Sequence, residues 1–388
     1  MENMKNYEYV VVGAGIAGSC VAHFLKDDNV LLIDRFNDVA QFASGVAGGF
    51  LSPLLGKPNK FKDLVTTSLK FAVDFYKNLD ENLIVQKGVL RVPIDDEDKI
   101  KFEEYKKHFD FDSIELEGGY FFKIGSQVFS YDMCKKLTSN IDKLFNYDVK
   151  HIYKKEDFWI INDEIKTKNL ILTTGSDIKL IKEEYINIRA VWGQRIDIST
   201  TTCIDFNYHK ECSISTSHEK LEDDLYKVSI GATHHRFDGV LEKEYKAFEN
   251  PDLENLSNIG YTNELYKKDT LELLAKANDI RTLNDVKVLK KYFGPRASSF
   301  DYFPLVGNII DSKKTLNMFP YLKNGTYVKS DRFIRYENLF LLNGVGGRGF
   351  VLSPYLAKKL VDFIKKKDTL DDEIVVDRLF KKWVRRLK

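Results

Sequence analysis

Cysteine is scarce and scattered in this chain. Its four cysteines, Cys20, Cys134, Cys203 and Cys212, make no CxxC pair and no zinc spacing, which argues against structural disulfides and a cysteine-ligated metal. No apolar run reaches the ~18 to 20 residues of a membrane span. No repeat or Pro/Ser-rich linker divides the chain. The N-terminus, MENMKNYEYVVVGAG, runs straight into an apolar strand without the architecture of a signal peptide. A cytoplasmic protein with no membrane partner is the expectation. Charge of one sign is missing too: 59 Lys+Arg stand against 58 Asp+Glu, a net charge of +1. No global field therefore recruits nucleic acid, and any polyanion site must be a local patch.

What the chain does have is core material. At 388 residues, 43% hydrophobic and 13% aromatic, it is long and apolar enough for one large globular domain or two intertwined ones. Tyr7 to Val12 reads as a short apolar strand, Leu69 to Leu79 as a helix, and Lys168 to Leu172 as a buried strand ending in the turn Thr173-Thr174-Gly175. Residues 190–235, rich in Thr, Ile, Val and Tyr, suggest an antiparallel sheet. Leu339 to Leu342 is another buried strand, ending at Asn343-Gly344, and Pro354 to Lys366 reads as a helix. Strand-rich material between two α/β blocks implies a nucleotide domain that is discontinuous in sequence.

GAGIAG places Gly13, Gly15 and Gly18 in a G-x-G-x-x-G pattern directly after a strand and at the start of a helix. A second strand, Val30 to Ile33, ends on Asp34, about 20 residues on, where a ribose-binding acid belongs. Gly13 makes the tight turn, Gly15 admits a pyrophosphate to backbone N–H groups, and Gly18 lets helix and strand pack closely. The helix N-terminus adds free N–H donors and partial positive charge. NAD and FAD both fit this fingerprint.

Three further stretches stand out. SGVAGGFLSPLLGK, Ser44 to Lys57, carries no charge before its final lysine, although 30% of the chain is charged. GVGGRGF, Gly344 to Phe350, lies between an apolar strand and a helix, where its backbone N–H groups suit an anionic or electron-rich ligand. In FGPRASSFDYFPLVG, Arg296 presents a planar fork suited to a carboxylate or phosphate, or else pairs with Asp301 on the surface.

Together, GAGIAG, Asp34, the Thr174-Gly175 turn, the Arg296/Asp301/Pro304/Gly307 pattern and GVGGRGF resemble the FAD-dependent amine oxidoreductases, the superfamily of glycine oxidase, sarcosine oxidase and D-amino-acid oxidase. Within it, ASGVAGGFLSPLLGK, IGATHHR (Ile230 to Arg236), PRASSFDYFPLVGNIID (Pro295 to Asp311) and GVGGRGFVLSP are most similar to the oxidoreductase half of the bifunctional bacterial tRNA wobble-uridine enzymes. The resemblance implies an α/β fold: a discontinuous Rossmann-like FAD-binding domain of the D-amino-acid oxidase type (residues 1–85, 130–188 and 296–388) and an antiparallel-sheet α+β substrate domain (86–129 and 189–295). It implies FAD held by Gly13, Ala14, Gly15, Ile16, Ala17, Gly18, Asp34, Arg35, Ser44, Gly45, Gly48, Gly49, Val149, Thr174, Gly175, Gly307, Gly346, Gly347, Arg348, Gly349 and Phe350. Covalent members use a late cysteine or a histidine near the N-terminal ASG region; neither is present here, so the FAD is expected to be noncovalent.

The implied reaction oxidises the glycine-like substituent of 5-carboxymethylaminomethyl-(2-thio)uridine at the tRNA wobble position, leaving the 5-aminomethyl base and glyoxylate. Arg296 is then the carboxylate clamp and Arg348 the second catalytic candidate. The bifunctional enzymes carry a methyltransferase before this half, whereas this chain begins at the FAD strand, so any later methylation is expected from a separate methyltransferase, or not at all. His234 and His235 are adjacent on a strand and point to opposite faces, which disfavours a metal pair and favours one packing histidine. No metal is expected. The last twelve residues, DRLFKKWVRRLK, place Leu379, Trp383 and Leu387 on one helical stripe with Phe380 and Val384 beside it, and basic residues opposite. That face, and a weaker basic spot at Lys57, Lys60 and Lys62, are candidates for contact with the tRNA anticodon region. Two other readings stay open: an oxidase of free glycine or sarcosine, and a flavoprotein for binding or electron transfer.

Overall fold

The computed structural model describes residues 4–222, 224–237 and 253–387. The run YVVV does form the first strand, Lys5–Val12, whose four last residues are fully covered. It lies parallel between Val30–Ile33 and Ile165–Leu172. Asp142–Leu144 continues the sheet beyond Val30–Ile33, and Arg335–Asn343 joins the C-terminal half of Ile165–Leu172, both in parallel. Val30–Ile33 and the C-terminal halves of Lys5–Val12, Ile165–Leu172 and Arg335–Asn343 are continuous buried apolar runs, as covered parallel strands are. Three antiparallel strands complete the sheet: Phe158–Ile161 and Ile152–Lys155 on one side, and Leu305–Ile310 at the edge of Arg335–Asn343.

On one face pack the helices Ile16–Phe24, Lys60–Leu79 and Gly349–Ile364, through Cys20, Val21, Leu69, Val73, Leu356 and Leu360. On the other face the helix Asp377–Val384 inserts Phe380 beside Tyr185 and Phe333. Among the described residues the second sheet has nine strands. Its spine is Ile188–Thr200 paired along its length with Lys287–Ser299. Leu225–Gly231, Ser213–Ile214 and Asn207–His209 follow, then Val89–Arg91, Gly119–Phe122 and Ser113–Leu116 from the first third of the chain. The helix Asn263–Ile280 packs on it through Leu273 and Ala277. No helix among the described residues is long and apolar enough to cross a membrane.

Three expectations change. Lys287–Ser299 is one strand, so a boundary between 295 and 296 cuts it, and Arg296 stands on the antiparallel sheet. The last long helix starts at Gly349 rather than near Pro354. A proline within a helix leaves the carbonyl four residues earlier without its amide donor; here Tyr76 Oη donates to the Phe350 carbonyl at 2.9 Å. The helix expected at Leu69 starts at Lys60, where the Asn59 side chain accepts from the N–H groups of Phe61 and Lys62 at 3.0 Å each. Of the basic spot there, Lys62 is buried against the His108 carbonyl and Asp110, while Lys60 and Lys57 stay exposed, Lys60 paired with Glu373 and Lys57 3.4 Å from Glu104.

Candidate active site

A cavity of about 1210 Å³ runs between the two sheets, above the C-terminal ends of the parallel strands. A typical small-ligand site holds ~300–1,000 Å³, so this space suits a large cofactor with a substrate beside it. The nucleotide end is lined by Gly13, Gly15, Ile16, Ala17, Asp34, Arg35, Ser44, Val149, Thr174 and Gly175. At Gly13, with φ of +107°, a Cβ atom would sit 2.5 Å from the Thr173 carbonyl oxygen, so only glycine makes this turn. The next helix opens at Ile16, whose N–H donates to Ser44 Oγ at 2.9 Å. The Asp34 carboxylate accepts from the Ala14 N–H at 2.6 Å and the Phe36 N–H at 3.0 Å. Burial raises its pKa, and those two N–H groups pull the other way. Arg35 is tied to Asp177, while its Nη1 is buried without a protein partner. A helix N-terminus, a ribose-height carboxylate and an orphaned guanidinium nitrogen match the adenosine diphosphate half of FAD.

Four expected cofactor residues stand off the cavity. Ala14 is buried, with its N–H already given to Asp34. A Cβ on Gly18 would lie 1.8 Å from the Gly13 carbonyl, so this glycine closes helix onto strand. Gly45 is packed against the Ala40 carbonyl, 2.0 Å from an added Cβ. Gly307 lies in the outer strand Leu305–Ile310, against Leu370.

The other end is lined by Gly48, Gly49, Gly346, Gly347, Arg348, Gly349 and Phe350, together with Arg91, Arg296, His209 and His234. The sequence brings Arg296 in on a sheet strand and Arg348 on the short turn Gly346–Arg348. Arg296 does not pair with Asp301, which is held by Arg378 and Lys382 at 3.0 Å each. Instead Arg296 Nη1 donates to the Thr233 carbonyl at 3.1 Å. Arg348 donates to the Ser52 carbonyl at 3.1 Å, and Arg91 to the Pro53 carbonyl at 2.6 Å. These hydrogen bonds go to neutral oxygens. Burial lowers Arg296 and Arg348 to about 10 each, and burial plus the charge of Arg348 lowers Arg91 to about 9. Three guanidiniums in one cavity, depressed because desolvation is not offset by a carboxylate, form a receptor for an anion.

Arg91 and His209 escaped the sequence reading. Arg91 sits in a three-residue strand, Val89–Arg91, and faces the cavity only because Asn207–His209 pairs with that strand. Nothing local marks either residue. His234 and His235 do diverge. His234 lines the cavity and is lowered to about 4, by burial first and then by Arg296. His235 turns away, with Nε2 2.8 Å from Asp269 and its ring against Phe237 and Tyr261. Among the described residues no group of three or more His, Cys, Asp or Glu side chains is placed to hold a metal. In the C-terminal helix Leu379, Phe380 and Val384 are buried, Trp383 is half-buried, and Arg378 is spent on Asp301.

The comparisons with known proteins agree with this geometry. The chain is 22% identical over 396 residues to the tRNA 5-methylaminomethyl-2-thiouridine biosynthesis bifunctional protein MnmC of Campylobacter fetus, covering 97% of this chain and 59% of that protein. Its counterpart in Campylobacter hominis is 24% identical, over 92% of this chain and 60% of the relative. The chain thus spans about 60% of the length of these relatives. Among solved structures, glycine oxidase from Bacillus cereus superposes with a TM-score of 0.69 at 17% identity, covering 94% of this chain and 96% of the other. Iminodiacetate oxidase from Chelativorans sp. BNC1 gives 0.67 at 14% identity, covering 96% and 98%. These two likenesses show the fold. The profile of the family described as FAD dependent oxidoreductase matches residues 8–363, and the chain belongs to that family as an FAD-dependent oxidoreductase.

Proposed function

We propose that the protein removes the carboxymethyl group from 5-carboxymethylaminomethyl-(2-thio)uridine at the tRNA wobble position, giving the 5-aminomethyl base and glyoxylate. The observation that carries this reading is the similarity to MnmC proteins over nearly the whole chain. The cavity chemistry supports it. Noncovalently bound between Asp34 and Gly346–Phe350, FAD supplies the two-electron acceptor for the methylene beside the amine. Arg296 holds the substrate carboxylate, with Arg348 and Arg91 adding positive potential. Their charge disfavours the substrate ammonium, so the amine binds in the neutral form that oxidation needs. His234 is neutral near pH 7 and adds no opposing charge. Loss of a hydride from the methylene of the neutral amine leaves an iminium, which passes its nitrogen proton to water as it becomes the imine. Water adds to it and splits it into the primary amine and the aldehyde of glyoxylate. No general base is needed once the amine is bound neutral. The downstream methylation belongs to a separate methyltransferase unit, fused or free.

The likeness to glycine oxidase favours a second reading, oxidation of free glycine or sarcosine. One experiment separates the two. The purified flavoprotein is incubated with tRNA bearing the carboxymethylaminomethyl base and, separately, with glycine and with sarcosine. Nucleoside mass spectrometry is expected to show conversion to the aminomethyl base; flavin bleaching by the free amino acids alone would sink the tRNA reading.

A further inference from the structure

Beyond the cavity, the turn after the Arg296 strand carries two large aromatic side chains into solvent. Phe300 is 50% exposed and Tyr302 58% exposed, and Tyr302 stands on the cavity lining itself. Arginines from three distant segments gather on them. The Arg189 guanidinium lies 4.4 Å from the Phe300 ring centroid and donates to the Phe300 carbonyl at 2.9 Å. Arg386, from the C-terminal segment, lies 5.9 Å from the same ring. Arg236, the last residue of IGATHHR, reaches Tyr302 Oη at 3.5 Å.

The turn beneath is anchored. Ser299 Oγ donates to the Phe303 carbonyl at 2.6 Å, and Asp301 is gripped by Arg378 and Lys382. Exposed rings on a turn held by these contacts, with guanidiniums around them, cost solvation unless something covers them. A free amino acid needs no such surface outside the cavity. Unpaired RNA bases do, because they stack on aromatic and guanidinium planes while their phosphates meet the same cations.

We propose that Phe300 and Tyr302, with Arg189, Arg236 and Arg386, form a shelf at the cavity mouth on which the bases flanking the target nucleotide stack. The assignment rests on the tRNA reading above and locates its recognition surface. It also gives the basic C-terminal segment a role: Arg386 supplies one edge of the shelf, and Arg378 and Lys382 hold its turn.

The test compares Phe300→Ala, Phe300→Trp, Arg189→Gln and the unmodified protein, each loaded with FAD. The substrates are an anticodon stem–loop RNA bearing the carboxymethylaminomethyl uridine and the same modified base as a free nucleoside. Phe300→Ala is expected to lose about tenfold in kcat/KM on the stem–loop, with nucleoside turnover unchanged and Phe300→Trp restoring the RNA activity. Arg189→Gln is expected to flatten the salt dependence of RNA binding by about one phosphate contact. Normal stem–loop turnover by Phe300→Ala would overturn the shelf, as would an equal loss on RNA and nucleoside. If the unsubstituted protein converts no RNA at all, the tRNA reading falls and takes the shelf with it, an outcome visible before any variant is made.

Discussion

At the scale of single residues, the site is a matter of unmatched charge. Arg296 sits in the cavity, and among the described residues its side chain hydrogen-bonds to the Thr233 carbonyl. A charge-assisted, forked contact to a carboxylate is the interaction such a group lacks. Arg296→Ala is therefore expected to keep the flavin, seen in the visible absorbance, yet lose about 100-fold in kcat/KM on the carboxymethylated substrate, in the range of one charged hydrogen-bonding group at a reacting centre. Arg296→Lys keeps the charge without the fork and is expected to fall in between. Near-normal activity in the alanine variant would mean that the clamp lies elsewhere, with Arg91 and Arg348 next in line. The value of Arg296 as an anion receptor was visible from its residue type; its freedom from Asp301 was not. Spacing of five residues is equally compatible with an ion pair. What decides the matter is that Arg378 and Lys382, some eighty positions later, take the aspartate first.

At the scale of elements, the glycine turn that lines the cavity is held through its helix. Pro354 cannot donate to the Phe350 carbonyl, and the buried Tyr76 hydroxyl does so from the helix Lys60–Leu79. Removing that hydroxyl leaves a buried carbonyl without a partner, a cost of about 1–3 kcal/mol. Tyr76→Phe is thus expected to lower the denaturation midpoint. In a Pro354→Ala background, where an amide N–H is restored, the same substitution is expected to cost much less. Equal losses in the two backgrounds, measured as a double-mutant cycle, would show that the hydroxyl does not stand in for the missing amide. Boundaries were the least legible part of these helices. Pro354 resembled a helix start because proline favours the first turn, and the true start at Gly349 depends on a hydroxyl supplied from another helix. The cap at Asn59 is local in the sequence, but its type alone does not mark it among the lysines on either side.

At the scale of the whole molecule, the cavity is the interface between the sheets, walled by Asp34 from one and Arg296 from the other. A cofactor bound there bridges both, and it binds the folded state alone. Removing FAD is expected to lower the melting temperature, and restoring it at about 100 times its Kd to return about 2.7 kcal/mol of stability. A melting temperature indifferent to added FAD would contradict a cofactor held at this interface. The same scale explains the two basic patches. Lys62 is buried against Asp110, and Lys60, exposed at the surface, is paired with Glu373, residues remote in sequence that offset both charges. Arg386 instead lands beside exposed Phe300, brought there by the packing of Phe380 against Tyr185.

The sequence by itself determined the nucleotide end of this protein. Strand, Gly13 turn, helix and Asp34 are consecutive in the chain, and their geometry follows from local backbone physics and the period of the apolar residues. It determined the substrate end only as residue types, an arginine here and a glycine turn there. Tertiary structure decided which arginines share the cavity, that Arg91 and His209 join them, and that His234 rather than His235 faces inward. It also packed Ala14, Gly18, Gly45 and Gly307 away from the cavity lining. The reason is pairing at long range: strands separated by more than a hundred residues align side by side, and hydrogen bonding between them selects which face each side chain takes.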